Sequence, residues 1–332
     1  MAGGQLFVAT MMLVQLLLVP ALLIAWVGFG AAPCVGIWVL RVAAVGVVFW
    51  AMDRLVDWTF LTRYGRFAVW GLFAVAVVVS GTKARSRPLW TELGRWEWVS
   101  AGASAVLLAA AGVAVAAAVR GARVPGEPVG LAFPLRGGRF HVAHGGSKPI
   151  VNAHMKVADP ELWAWRGQMW ALDVVALSPA GNRARGLFPK DLDRYAIFGE
   201  PVYAPCAGRV VAVEDGLPDL TPPESDPENK AGNYVLLRCE DGVVVLLAHL
   251  RQGSVVVQPG QDVDVGVLLG EVGNSGNTSE PHLHVNAQQG VGEETVLDAE
   301  PVPATFDGRW LVRNDLVQRS RREASPHRRG GR

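Results

Sequence analysis

Hydrophobic positions are distributed in two different ways along this chain. Before residue 122 they form long unbroken blocks, and after it they recur in short runs separated by turn residues. Four blocks stand out: Leu6–Gly30, Ala32–Met52, Phe67–Gly81 and Trp98–Val119. A helix crosses the hydrocarbon core of a bilayer with roughly 20 apolar residues. Three blocks meet that length. The third, with fifteen residues, meets it only by drawing on Trp58–Tyr64. Four spans are expected, or three if that block lies in the interface. The first block has neither a charged leading region nor a small-residue cleavage site, so it reads as an anchor and not a removed signal. Eight of the twelve tryptophans fall at or before Trp98, several of them near span ends, where amphipathic rings favour the membrane–water boundary. Arg41 is a charge inside a span, and a packing role within the bundle accounts for it. Orientation is balanced. Lys83, Arg85, Arg87 and Arg95 flank one side, and Arg54, Arg63, Arg66, Arg120 and Arg123 flank the other.

"RGARVPGEPVG", Arg120–Gly130, ends the last block with helix-breaking residues. Beyond it, "YAPCAGRVVAVEDG", "NYVLLRCEDGVVVLLAHL" and "PHLHVNAQQG" are β-branched runs bounded by turn signals. Glu240-Asp241-Gly242 marks a hairpin between two apolar strands. The expected fold is therefore a multi-pass α-helical membrane segment followed by an all-β, sandwich- or barrel-like domain with hairpins. The corresponding boundaries are residues 1–122 for the membrane bundle, 123–132 for a linker, 133–315 for the β domain and 316–332 for a disordered basic tail. Residues 215–232, rich in Pro, Asp and Glu, read as a solvated loop bordering a groove; their acids lack EF-hand spacing.

Composition changes this picture little. Hydrophobic residues make up 50% of the chain and charged residues 18%, an average over a membrane part and a soluble part. The formal net charge of +1 argues by itself neither for nor against nucleic acid, and none is expected as a partner. Cys34, Cys206 and Cys239 have no CxxC spacing; Cys206 and Cys239 are able to pair in an oxidising compartment.

The candidate chemistry begins in "GNSGNTSEPHLHV", Gly273–Val285. In a strand, side chains at i and i+2 share a face, so His282 and His284 point together and Leu283 points away. Two co-facial imidazoles can share a metal, or one can bind it while the other handles protons. Three more polar residues sit in apolar surroundings: Asp173 in "QMWALDVVAL", His249 in "VVVLLAHL" and His154 in "PIVNAHMKV". A buried acid is costly unless it meets a charge or a donor. Together these five supply the N/O ligands and proton-handling imidazoles that a hydrolytic zinc centre needs. His141 and His144, in "FHVAHGG", read as part of a surface turn.

The stretch "VQPGQDVDVGVLLGEVGNSGNTSEPHLHV" after "AHL", with "FGEPVYAPCAGRVVAV" before it, resembles the lysostaphin/LytM-type zinc endopeptidases, over roughly Phe133–Gly290. The resemblance implies that Asp173 and His284 bind Zn2+ and that His249 and His282 flank the reacting water and carbonyl. It also implies a peptidoglycan peptide as substrate, and hence a multi-pass protein of the cytoplasmic membrane with its peptidase domain outside the cytoplasm. The family's pattern has a further zinc-binding histidine four residues before the aspartate, where this chain has Met169 beside Gln168. A thioether is a poor zinc ligand, and His154 is the expected substitute. The alternative is a catalytically impaired LytM-like domain, a wall-binding or regulatory module whose partner is a glycopeptide or another hydrolase, so that a regulatory protein partner is also compatible. Lipoyl carriers and phosphocarriers share the strand pattern. A lipoyl carrier requires a lysine in its hairpin, and Lys230, the one lysine after Lys190, lies in the acidic insertion.

Overall fold

The structure is a computed structural model that describes residues 2–290 and 296–320. The chain divides into two units, Met1–Val119 and Arg120–Arg332.

In the first unit, four helices are long and apolar enough to cross a membrane: Phe7–Phe29, Val35–Leu55, Gly65–Ala84 and Arg95–Gly121. The short third block thus becomes a 20-residue helix. It grows by taking in Gly65, Arg66 and Thr82–Ala84, and not Trp58–Tyr64, which begin with a separate 3-10 turn at Trp58–Phe60. A π-turn at Val14–Leu18 precedes Pro20, whose ring nitrogen has no hydrogen to give to the helical ladder. Arg41 is buried and donates to the carbonyls of Trp26, Gly30 and Ala31 and to Ser100 Oγ. A guanidinium there answers the orphan carbonyls at a helix C-terminus.

The second unit is built on one large sheet. Its strands are β1 (Val129–Leu131), β2 (Arg139–His144), β3 (Leu172–Ala176), β4 (Pro201–Tyr203), β5 (Gly208–Glu214), β6 (Asn233–Cys239) and β7 (Val244–Leu250). They continue as β8 (Asp262–Val263), β9 (Leu268–Glu271), β10 (Leu283–Gln288), β11 (Pro301–Val302), β12 (Ala304–Phe306) and β13 (Leu316–Gln318). Eight of them lie in the order β13-β2-β3-β10-β7-β6-β5-β8, with β11 also on β10, and all these pairings are antiparallel. Two small ribbons, β1–β12 (parallel) and β4–β9 (antiparallel), complete the unit. The Glu240–Gly242 hairpin forms, with Gly242 at φ 85°.

Alternation assigns the two faces of the sheet. Phe140 and Val142, Leu172 and Val174, Leu283 and Val285, and Val245 and Leu247 point into the main core, where residues of both ribbons join them. The opposite face carries a smaller apolar cluster of Leu236, Val244, Leu246 and Ala248. Buried polar side chains lie there too. Cys206 and Cys239 form a disulfide.

Two boundaries differ from those read in the sequence. The linker 123–132 contains β1, which pairs with β12, and the tail set at 316 begins with β13, which pairs with β2. Both pairings join residues over 170 apart, which a local pattern does not show. Residues 321–332 of the expected tail lie outside the described residues.

Candidate metal centre

Strand register draws the polar residues into a line. His144 on β2 faces Asp173 on β3, Asp173 faces His284 on β10, and His284 faces Ala248 on β7. His284, Asn286 and Gln288 follow strict alternation and stay on the face away from the main core, all three buried.

Two of the histidines reach this face because strands change parity. At the β6–β7 pairing, Asn233 faces Leu250 and Tyr234 faces Ala248, which leaves His249 as the extra residue of a bulge. Its φ of 61° is left-handed, a conformation that costs a non-glycine residue about 1–3 kcal/mol. The extra residue turns His249 to the cavity side and returns Leu250 to the main core. At the β2–β3 pairing, Val142 faces Val174 and His144 faces Asp173, so Ala143 is the extra residue and His144 swings to the same side. His141 and His144, expected in a surface turn, are therefore on a strand: His141 is buried and His144 lines the cavity.

His154 comes from a different element. The stretch expected to be strand-like is a 3-10 helix, Ala153–Ala158, capped by Asn152, whose Oδ1 accepts from His154 N at 3.1 Å. Asn152 Nδ2 donates to the carbonyls of Gly146 and Ala171 and so ties this cap to β3's entry. His154 Nε2 then meets Asp173 Oδ2 at 2.9 Å, and its Nδ1 meets Gln168 Oε1 at 3.2 Å. His284 Nδ1 is 3.0 Å from Asp173 Oδ1, and His282 Nε2 is 3.5 Å from the same oxygen. The rings of His249 and His282 have centroids 4.7 Å apart, and those of His154 and His284 4.8 Å. Asp173, His154, His249, His282 and His284 therefore line one cavity of about 460 Å³. Met169 is not among its lining residues; Gln168 is.

The partners on the far side of each ring decide what it presents to the centre. His249 Nδ1 donates to the Ser275 carbonyl at 2.9 Å, and His282 Nδ1 to the Glu280 carbonyl at 2.9 Å. Carbonyls only accept, so in each neutral ring Nε2 carries a lone pair. His284 is held the other way round. Asn286 Nδ2 donates to the Gly167 carbonyl at 3.1 Å, which fixes the amide and leaves Oδ1 to accept from His284 Nε2 at 3.1 Å. The lone pair of His284 is then on Nδ1, facing a carboxylate oxygen. Two acceptors at that separation require a proton or a cation between them.

Electrostatics agree with that demand. Burial opposes ionisation of Asp173, but the His154 and His282 imidazoles and its close contacts with His154 and His284 hold its pKa well below the usual carboxylate range. Burial likewise works against a charged His154, and the Asp173 carboxylate outweighs it, so that this pKa is raised. His249 and His284 are pushed down, first by burial and then, for His249, by the neighbouring imidazoles. Asp173, His154 and His284 offer a carboxylate and two imidazole nitrogens within 4.8 Å of one another. That donor set, with outer partners orienting the rings, fits zinc. His249, His282 and His284 meet the same distance limit but contain no anion.

Asn286 and Gln168 were not singled out in the sequence. The polar alternation His282-x-His284-x-Asn286-x-Gln288 was the available signal for Asn286, whereas Gln168 had none beyond its position next to Met169.

The profile of Peptidase family M23 matches residues 190–298, which include His249, His282 and His284 but neither His154 nor Asp173. Cell division protein DipM of Caulobacter vibrioides is 30% identical over 115 residues, covering 35% of this chain and 17% of DipM. A putative peptidase M23 from Pseudomonas aeruginosa is 29% identical, covering 34% of this chain and 41% of that one, with a TM-score of 0.25. The catalytic domain of lysostaphin from Staphylococcus simulans is 26% identical, covering 30% and 65%, with a TM-score of 0.23. The chain thus spans under half the length of the first two of these relatives. Its β unit contains a LytM-type domain of peptidase family M23.

Proposed function

We propose that this protein is a membrane-anchored zinc metallopeptidase that hydrolyses peptide bonds of cell-wall peptidoglycan. The observation that carries this reading is the convergence of imidazole nitrogens from His154, His249, His282 and His284 around the buried carboxylate of Asp173. His154, Asp173 and His284 would hold the metal. Bound there, a zinc ion supplies Lewis acidity that polarises an amide carbonyl and acidifies water.

The remaining work belongs to the chain. Hydrolysis adds water across the C–N bond, so one proton must leave the attacking oxygen and one must reach the departing nitrogen. His249 and His282 each present an unprotonated Nε2, oriented by a hydrogen bond from Nδ1 to a backbone carbonyl. Such an imidazole takes the proton from water and returns it to the amine. The depressed pKa of His249 keeps it neutral, and able to accept, at pH 7. Trp165, Leu162 and Leu246 give the cavity wall an apolar part.

A peptidoglycan substrate places the β unit outside the cytoplasm. The Cys206–Cys239 disulfide supports that placement, because such bonds persist in oxidising compartments. The four apolar helices supply the anchor.

The test uses the full chain purified in detergent, with zinc measured by mass spectrometry and peptidoglycan digests analysed for new amine and carboxylate ends. We expect one zinc per chain and cleaved peptide bonds, with both lost in His284→Ala. Stoichiometric zinc without any cleaved bond would leave only a wall-binding or regulatory module. A chain that binds no zinc would remove the centre itself.

A further inference from the structure

The proposed centre employs His154, His249, His282, His284 and Asp173 but leaves out the fourth position in the line across the sheet. His144 directly faces Asp173 on β2, at the end of the line away from His249, and its ring lies 6.0 Å from that of His154. Its Nδ1 accepts the backbone N–H of Ala153 at 3.3 Å and a guanidinium N–H of Arg313, also at 3.3 Å. A backbone amide and a guanidinium can only donate. Two donors on one nitrogen fix its lone pair there, so the single hydrogen of the neutral ring sits on Nε2.

This is the reverse of His249 and His282, whose inward nitrogens carry lone pairs. Nε2 of His144 makes no hydrogen bond among the described residues, and the side chain lines the cavity. The bulge at Ala143 is what places it there; continued alternation from Phe140 and Val142 would bury it in the main core. The cavity therefore has acceptors at one end of the line and a fixed neutral donor at the other.

We propose that His144 donates its Nε2–H to a carbonyl oxygen of the bound peptide, so that it contacts substrate and stabilises negative charge developing on that oxygen. A neutral imidazole held as a donor does this without releasing a proton. The ring does not exchange a proton in the step. The proposal rests on the peptidase reading for the identity of the oxygen, but not for the tautomer.

Three measurements on the full chain in detergent test it. Nitrogen NMR of histidine-labelled protein should show His144 neutral and protonated on Nε2 near pH 7. With zinc removed by chelator, a muropeptide should bind His144→Leu at least several-fold more weakly than wild type. In the zinc-loaded chain, His144→Leu should lower kcat by about 10²-fold at unchanged zinc content, and His144→Gln, which keeps an amide donor, should recover part of that loss. A wild type that binds peptide through His144 but cleaves nothing would sink the peptidase reading, and the charge-stabilising role with it, and spare only the hydrogen bond from His144 to the peptide. Wild-type cleavage and peptide affinity in His144→Leu, or a ring protonated on Nδ1, would overturn the role of His144. Absence of peptide binding in the wild type would overturn both.

Discussion

At the residue scale, the unusual member of the centre is His154. In sequence it is nineteen positions from Asp173, yet its Nε2 lies 2.9 Å from the carboxylate because Asn152 caps a 3-10 turn at the entrance to β3. Met169, where the family pattern has a ligand, does not line the cavity. Gln168 does line it, and it orients His154. His154→Ala should therefore abolish stoichiometric zinc, a loss of several kcal/mol from the roughly 10–16 typical of structural sites. The β fold should survive, because the core lies on the other face of the sheet. Adding Met169→His to that variant should not restore the metal. Zinc content and thermal unfolding of the two variants check this; full zinc in His154→Ala, or rescue by the second change, would assign the ligand elsewhere.

At the scale of elements, two bulges and one insertion make the site. The acidic insertion is not simply solvated. Asp219 Oδ1 accepts from Asn274 N and its Oδ2 from Gln252 N at 3.1 Å, while Leu220 N donates to the Asn274 carbonyl at 3.0 Å. The insertion thus holds the Gly273–Asn277 turn, whose Ser275 carbonyl orients His249. Asp219→Ala removes a charged acceptor from two backbone amides and should cost about 1–3 kcal/mol. It should slow hydrolysis through His249 and leave zinc content intact, since His154, Asp173 and His284 sit on other elements. Equal loss of zinc and activity would show that the turn supports the metal instead. Alternation explains why part of this site was readable in advance: His282, His284 and Asp173 keep the period of two that their strands begin with, and the apolar runs around them mark the strands. His144 breaks that period. Counted from Phe140 and Val142 it belongs in the core, and a bulge has no local sequence signature here, so the turn reading of "FHVAHGG" failed. His249 breaks it as well: it is a polar residue closing an apolar run, and the bulge is the physical reason it leaves the core side. The strands β1 and β13 were missed because each depends on a partner far away in the chain.

For the whole molecule, the proposed membrane anchor makes a prediction about the side on which the β unit lies. Charge does not decide that side, since four basic residues flank one side of the helices and five the other. If all four apolar helices cross, the segments before the first and after the last lie on the same side, so one marker after β13 tests the topology. Two features argue for the outside: the Cys206–Cys239 pair, and a cavity whose proposed substrate is found only there. Alkaline phosphatase, which acquires its own disulfides only outside the cytoplasm, should be active when fused after Ser320, beyond β13. A cytoplasmic reporter such as β-galactosidase at the same place should be silent. A thiol-blocking assay on whole cells gives an independent check. Cys206 and Cys239 should react only after reduction, whereas in a reducing cytoplasm both would be free thiols. Activity of the cytoplasmic reporter together with free thiols would put the domain on the inner face. The peptidoglycan substrate would then be out of reach, and a peptide or protein partner in the cytoplasm would have to take its place.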